Sequence, residues 1–203
     1  MSKRYDSAES TRLLLEASAV EFARKGVHGA RIDQIADRAG VNKASIYSYI
    51  GNKEDLFEAA IAAKLGELAN RVTIGQGGLP EYVGDLFDFL CENPIVAWLF
   101  EQEALHFAPD AVPDFAQRAA YFQTRVAATA DALGGDSDAA ATFFALISMC
   151  YWFVAAPQLV GMIFGDAAPE GVRRRYRAHL VATATAMSRL SSAETGAQAP
   201  ASD

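Results

Sequence analysis

With only two cysteines in 203 residues, Cys91 and Cys150, the chain has no disulfide framework and no cluster with the spacing of a zinc site. Both stand in apolar sequence, which points to two buried free thiols. No signal peptide precedes the first charged helix, so the expected setting is a reducing cytoplasm. Missing too are paired alternating strands joined by hairpin turns, a phosphate-binding loop, a nucleophile elbow and a His-Glu-x-x-His zinc motif. A single Glu-x-x-His (Glu103, His106) and an acidic pair at i, i+3 (Asp85, Asp88) are present. A di-iron bundle requires two such Glu-x-x-His copies and two further glutamates. Neither an enzyme nor a cofactor is expected.

Positive charge is scarce. The formal charge is -7, which argues against a protein that coats nucleic acid indiscriminately. It is unevenly spread: residues 1 to 55 carry nine Lys/Arg against eight Asp/Glu, whereas residues 56 to 203 carry nine against seventeen. Any affinity for a polyanion therefore belongs to the N-terminal end. One stretch, 139 to 165, has no charge at all and exceeds the ~20 residues that span a bilayer. Pro157, Gln158 and Gly161 interrupt it, and Asp136, Asp138 and Asp166 flank it, so a buried core helix is expected in place of a membrane span.

What remains is helical throughout, and the chain reads as all-α. Asp6 with Glu9 suggests a capped start to the first helix, in which Leu14, Ala17, Ser18 and Phe22 share a face and Gly26 supplies the stop. A second helix reads from about Arg31 to Ala39, followed by a turn at Gly40. A third begins at Asn42 and ends at Gly51, and a fourth runs from Asn52, paired with Asp55 as a capping box, to about Arg71. After the flexible "TIGQGGLP", helices are expected near 80 to 92, 94 to 107, 111 to 134, 137 to 164 and 169 to 190, about nine in all. The tail 191 to 203 is small, polar and aperiodic, and disorder is expected there.

The third helix carries the chemistry. Ile46 and Ile50, at i and i+4, are its inward residues, leaving Lys43, Ala44, Ser45, Tyr47 and Ser48 outward and Tyr49 at the flank. A helix so short needs tertiary support, and two preceding helices supply it in a helix-turn-helix. Small residues near the N-terminus of such a helix allow close approach to base edges. Ala44 suits a thymine methyl, Ser45 a base edge or phosphate, and the tyrosine hydroxyls and Lys43 and Lys53 the phosphates.

The segment "ARIDQIADRAGVNKASIYSYIGNKEDLF", 30 to 57, resembles the DNA-binding region of the TetR family of bacterial transcriptional regulators. The likeness lies in Ile35-Ala36, the Ala-Gly-Val turn at 39 to 41, Lys43, the aliphatic-Tyr-x-Tyr run at 46 to 49, and Lys-Glu before the fourth helix. It implies DNA contacts at Lys43, Ala44, Ser45, Tyr47, Ser48, Tyr49 and Lys53. Two positions depart from the family pattern: Arg31 replaces a Thr or Ser cap, and Ile50 replaces an aromatic residue. Arg31 is accordingly expected to reach a phosphate or the minor groove, the ordinary alternative being a solvated arginine.

Residues 1–51 are thus expected to form the DNA-binding head and 52–190 a ligand-binding and dimerisation bundle. The resemblance implies a small-molecule effector, a homodimer, and an operator on double-stranded DNA. Candidate effector contacts are Trp98, Glu101, Phe107, Phe115, Tyr121, Phe122, Phe144, Met149 and Trp152. The apolar stripe of the last helix, Val172, Tyr176, Leu180, Ala184 and Met187, is the candidate partner face, with "RRRYR" (173 to 177) as its solvated edge. The resemblance implies a repressor released from a near-palindromic operator. The alternative is a helical binding protein or enzyme with a vestigial DNA head.

Overall fold

The computed structural model describes residues 7–134, 138–165 and 167–197, and for Ser7, Ser45, Ser48, Tyr49 and 190–197 the backbone alone. The described residues form ten helices and no strand: α1 (Ser7–Gly29), α2 (Ile32–Ala39), α3 (Lys43–Tyr49), α4 (Lys53–Arg71), α5 (Gly78–Glu92), α6 (Pro94–His106), α7 (Phe115–Leu133), α8 (Ala139–Ala155), α9 (Pro157–Phe164) and α10 (Pro169–Ala197). The all-α expectation holds. The tenth helix arises because Pro157, which cannot donate an i→i−4 bond, splits the apolar run after Ala156. The expected cap partner Asp6 lies outside the described residues, and α10 continues to Ala197, past the end expected near 190.

The chain divides into two compact units. The first holds residues 1–70 and 93–113, and so adds α4 and α6 to the three short helices. Its core is one cluster around Phe22, Ile35, Ile46, Leu56, Phe57 and Leu99. Phe57 of α4 meets Phe22 of α1 edge-on at 5.1 Å and stacks on Phe107 at 6.2 Å. The expected stop in α1 is real: Gly26 adopts φ 64° and ψ 176°, a non-helical conformation that breaks the helix before its last turn. It is also a point of close approach, since a Cβ there would lie 2.5 Å from Gln102 Oε1 of α6. Lys64 of α4 is nearly buried and donates to Glu16 of α1 and to Glu67 one turn on, so its charge is paired where water is scarce.

The second unit holds residues 71–92 and 114–203. Leu79, Val83 and Phe87 of α5, Leu133 of α7, Leu146 of α8 and Leu180 of α10 are its largest fully buried side chains. Asp88 of α5 accepts from Arg177 Nε at 2.6 Å and from Arg173 Nη2 at 3.4 Å. Gly84, one turn earlier, allows this by leaving room for the Arg177 guanidinium, 2.8 Å from where a Cβ would sit. Two of the arginines expected on a solvated edge are therefore turned onto α5, and only Arg174 and Arg175 are exposed.

The uncharged run is a core helix on one face only. Phe143, Leu146, Cys150 and Val154 of α8 are buried, whereas no residue of α9 is buried. Among the described residues no single helix is long and apolar enough to cross a membrane, and α8 and α9 are bent by 88° at their junction. Cys150 is buried with its S–H directed at the Val83 carbonyl (3.6 Å), and Cys91 is half-buried. Burial pushes the Cys150 thiol up to about 12 and Cys91 to about 11, so neither forms a thiolate near neutrality. Both are expected to react with a thiol reagent only slowly in the native protein and rapidly once it is unfolded, as timed by disulfide-exchange absorbance. Leu180→Ala should cost about 2–5 kcal/mol of unfolding free energy by denaturant titration, because the site is closed on all sides.

Candidate nucleic-acid interface

The turn that aims α3 is built from backbone alone. Gly40 sits in the left-handed region (φ 68°, ψ 27°), its N–H donates to Asp37 O at 3.3 Å, and the N–H of Val41 donates to Ala36 O at 3.1 Å. This pair of bonds satisfies the last carbonyls of α2 in the Schellman pattern, and Val41 then packs on the core. Asn42 caps α3 by accepting from the Ala44 N–H at 2.8 Å. Ile46 is buried and Ile50 half-buried, as expected of the inward pair. Lys43 and Ala44 are exposed, and Tyr47 is 48% exposed. The side chains of Ser45, Ser48 and Tyr49, also expected to meet DNA, lie outside the described residues.

The start of α2 solves a problem that Arg31 creates. Its side chain makes no cap bond, so the first amides of α2 need another acceptor. Glu21, buried on α1, provides one: its Oε1 accepts from the Arg31 N–H at 3.3 Å and from Lys25 Nζ at 2.9 Å. Lys25 also donates to Gln34 Oε1 at 2.7 Å, tying α1 to α2. Burial raises the Glu21 carboxyl, but the bonds from Lys25 and the Arg31 amide outweigh it and hold the group below its ordinary value. No sequence pattern marks this contact, because its partners come from different helices.

Charge on the outward face is arranged locally. Lys43 Nζ lies 2.6 Å from Asp33 Oδ1, with both side chains about half exposed. The Asp33 carboxyl is held low by that ammonium, and Lys43 is held high in return. Arg31 is close enough to act on both, and Tyr47 on Lys43. The exposed Arg31, Lys43 and Tyr47 thus gather on one face around a single acid. Lys53 begins α4 and donates to the His28 carbonyl at 3.3 Å, while Asn52 and Asp55 exchange N–H bonds at 3.0 and 2.8 Å, the expected capping box.

The candidate effector residues divide between the units. Trp98, Glu101 and Phe107 belong to the first, where Trp98 and Phe107 pack against its core and burial raises the Glu101 carboxyl. Within the second, Tyr121, Phe122 and Met149 are half-buried, the rings of the first two edge-on at 5.4 Å. Phe115, Phe144 and Trp152 are 59%, 69% and 56% exposed, a placement on the surface and not on a cavity wall. The second unit does carry a groove of about 610 Å³, lined by Gly75, Leu79, Asp131, Thr185 and Arg189 among others, and none of the expected aromatics borders it.

The candidate partner stripe on α10 also turns inward. Val172, Leu180 and Ala184 are buried by their own unit, and Tyr176 stacks on Phe153 at 4.7 Å and donates to the Met149 carbonyl at 3.0 Å. Met187 is half-buried. The most apolar face of this helix covers α5 and α8 of its own chain, which close off Val172, Leu180 and Ala184. Among the residues that α10 leaves exposed is a row of small ones, Ala178, Ala182 and Ala186, flanked by Arg174, Arg175, His179 and Arg189, and α8 exposes Phe144 and Trp152. The lone Glu-x-x-His is divided as well: Glu103 is buried and His106 meets the His28 ring edge-on at 5.3 Å.

The comparisons with known proteins agree with this geometry. The model for bacterial regulatory proteins of the tetR family matches residues 14–60, and a tetracyclin repressor-like C-terminal domain matches 78–189. The chain is 33% identical over 180 residues to the HTH-type transcriptional repressor SCO4008 of Streptomyces coelicolor, covering 85% of this chain and 93% of that protein. It is 30% identical over 111 residues to the HTH-type transcriptional repressor NicS of Pseudomonas putida, about half of each chain (51% and 52%). Among solved structures, SCO4942 of Streptomyces coelicolor superposes with a TM-score of 0.73 at 24% identity, covering 88% of this chain and 97% of that one. FadR of Bacillus subtilis, solved with stearoyl-CoA, gives 0.62 at 16% identity over 89% and 97%. These two likenesses are of fold.

The buried Glu21 yields a signed pH effect. Its folded carboxyl lies below the ordinary 4.5, so its contribution is complete above that pH and is lost as pH falls through the lowered value. Glu21→Gln should therefore melt earlier than wild type near neutrality, with the difference narrowing on acidification. A difference in melting temperature that stays constant from about pH 7 to about pH 3 contradicts the assignment.

Proposed function

The chain belongs to the TetR family of bacterial regulatory proteins, DNA-binding transcriptional regulators, and on that premise we propose that it is a homodimeric repressor released from a near-palindromic operator by a small-molecule effector. The observation that carries the DNA-binding part is the two-sidedness of α3: Ile46 is sealed in the core while Lys43, Ala44 and Tyr47 stand outward on a helix aimed by a fixed turn. In the major groove such a helix enters with its N-terminus toward the bases. Ala44 and Ser45 take the base edges, and Arg31, Lys43, Tyr47, Ser48, Tyr49 and Lys53 take the phosphates. The protein is a cytoplasmic regulator and not an enzyme.

A second copy is needed to read two half-sites. With the apolar stripe of α10 used inside the chain, the partner face is made of the residues that stripe leaves out: Ala178, Ala182 and Ala186 on α10, with Phe144 and Trp152 on α8. Small residues on one helix and large rings on its neighbour suit a closely packed isologous contact. Phe144 and Trp152 are thereby assigned to dimerisation, and within the second unit the half-buried Tyr121, Phe122 and Met149 remain the candidate effector contacts. Effector binding shifts the spacing of the two heads and lowers operator affinity by a coupling of ~1–3 kcal/mol.

Three measurements test this. In a salt-titrated anisotropy assay, DNA from upstream of the protein's own gene should bind more tightly than random duplex, and equal binding at every salt concentration refutes the function. Tyr47→Ala should weaken binding to all sequences alike, whereas Ser45→Ala should change the preference among them. In sedimentation, Trp152→Glu should convert a dimer to a monomer with its helical circular dichroism intact, and a dimer that survives the substitution refutes this face.

A further inference from the structure

We propose that Asp33 is an intramolecular rival of DNA phosphate for the Lys43 ammonium, and that by holding this cation it lowers the affinity of the protein for DNA of any sequence. The inference rests on the reading of α3 as the recognition helix. Its basis is where the pair sits. Lys43 is the first residue of α3 and Asp33 lies in the first turn of α2, so the 2.6 Å contact crosses the helix-turn-helix on its exposed side. Both partners are half exposed, and an ion pair so open to water contributes little to stability. Nor does Asp33 cap α2: the cap position is Arg31, and the acceptor there is Glu21. The consequence of the pair is therefore one of charge.

The head has little charge to lose. With nine cations against eight acids in residues 1 to 55, one lysine held by a carboxylate is a large share of what a phosphate backbone meets. Asp33 also lies near Arg31, so one acid bears on two of the three cations assigned to the phosphates. While Asp33 holds it, the Lys43 ammonium meets the backbone with its charge already largely neutralised, so it adds little to the counterion release that drives binding. Random DNA offers only phosphate contacts, so it feels this loss most heavily.

The salt dependence of binding reads this directly, because each phosphate neutralised adds about −0.9 to the slope of log K against log salt. The full-length protein is titrated against a random-sequence duplex and against DNA upstream of its own gene, as wild type, Asp33→Asn, Lys43→Ala and the double variant. Asp33→Ser repeats the measurement with a second neutral side chain, and thermal melting confirms that each variant is folded. Asp33→Asn should steepen the slope by about 0.9 and raise the affinity for random duplex roughly five- to tenfold at about 0.1 M salt. In the Lys43→Ala background the same change should leave the slope where it was. An equal effect with and without Lys43 means that Asp33 repels phosphate directly and overturns the proposal, as does an unchanged slope in Asp33→Asn and Asp33→Ser. These results leave the DNA-binding reading standing. A wild type that binds neither duplex at low salt overturns that reading, and the proposal falls with it.

Discussion

A helix of seven residues, ~10 Å long, cannot hold itself together in water, because so few hydrogen bonds do not offset the cost of nucleation. Everything in the first unit answers this constraint. Ile46 anchors α3 from below, the Gly40 turn fixes its entry, Asn42 satisfies an amide at its start, and Ile50 closes its end against the same core. The support has its own support: α2 has only eight residues, and it depends on Glu21 and Lys25 of α1 for the polar contacts that its Arg31 cap position does not supply. The recognition surface is thus a property of the assembled unit and not of the short helix that displays it.

The composition of the unit has a bearing on how a signal reaches that surface. Residues 93–113, which include α6, cluster with the head although they follow α5 of the second unit in sequence. Phe57 at the start of α4 is enclosed by Phe22, His106 and Phe107, so α1, α4 and α6 share one aromatic contact. Gly26 leaves room on α1 for the Gln102 side chain of α6. A displacement of α6 cannot leave the head as it was, since close-packed interiors transmit strain where a loose one would absorb it. The Lys64 cluster ties α4 to α1 further along, a buried ammonium held between two half-exposed carboxylates.

Much of this was legible in the sequence wherever the cause is local. Gly26, Gly40 and the Asn52–Asp55 pair act within a few residues of themselves, and each does what its position foretells. The inward Ile46 and outward Lys43 and Ala44 follow from helical period alone. Contacts that join separate helices gave no signal: neither the Glu21 bond to the Arg31 amide nor the Asp33–Lys43 pair has a spacing to recognise. Periodicity also marks that a face is apolar without saying what covers it. On α10 it found Val172, Leu180 and Ala184 correctly as a buried stripe, and the structure assigns that stripe to α5 and α8 of the same chain. On α8, apolar nearly all round, large aromatics at 144 and 152 read like pocket walls, and only the fold places them on the surface.

Gly84 looks like a position reserved for want of space, yet the neighbour that fills the space is the far end of an arginine and not a wall of backbone. A methyl group there would simply push the Arg177 guanidinium aside. The group left behind is Asp88, whose carboxylate now takes its shortest bond from that guanidinium and a longer one from Arg173. Glycine at 84 is therefore protected by an electrostatic debt two helices wide: a methyl group displaces only a flexible side chain, but it leaves a half-buried anion with its weaker partner alone. In a lineage that drifts, the glycine and the aspartate should be given up together, and the arginine would then return to the solvent.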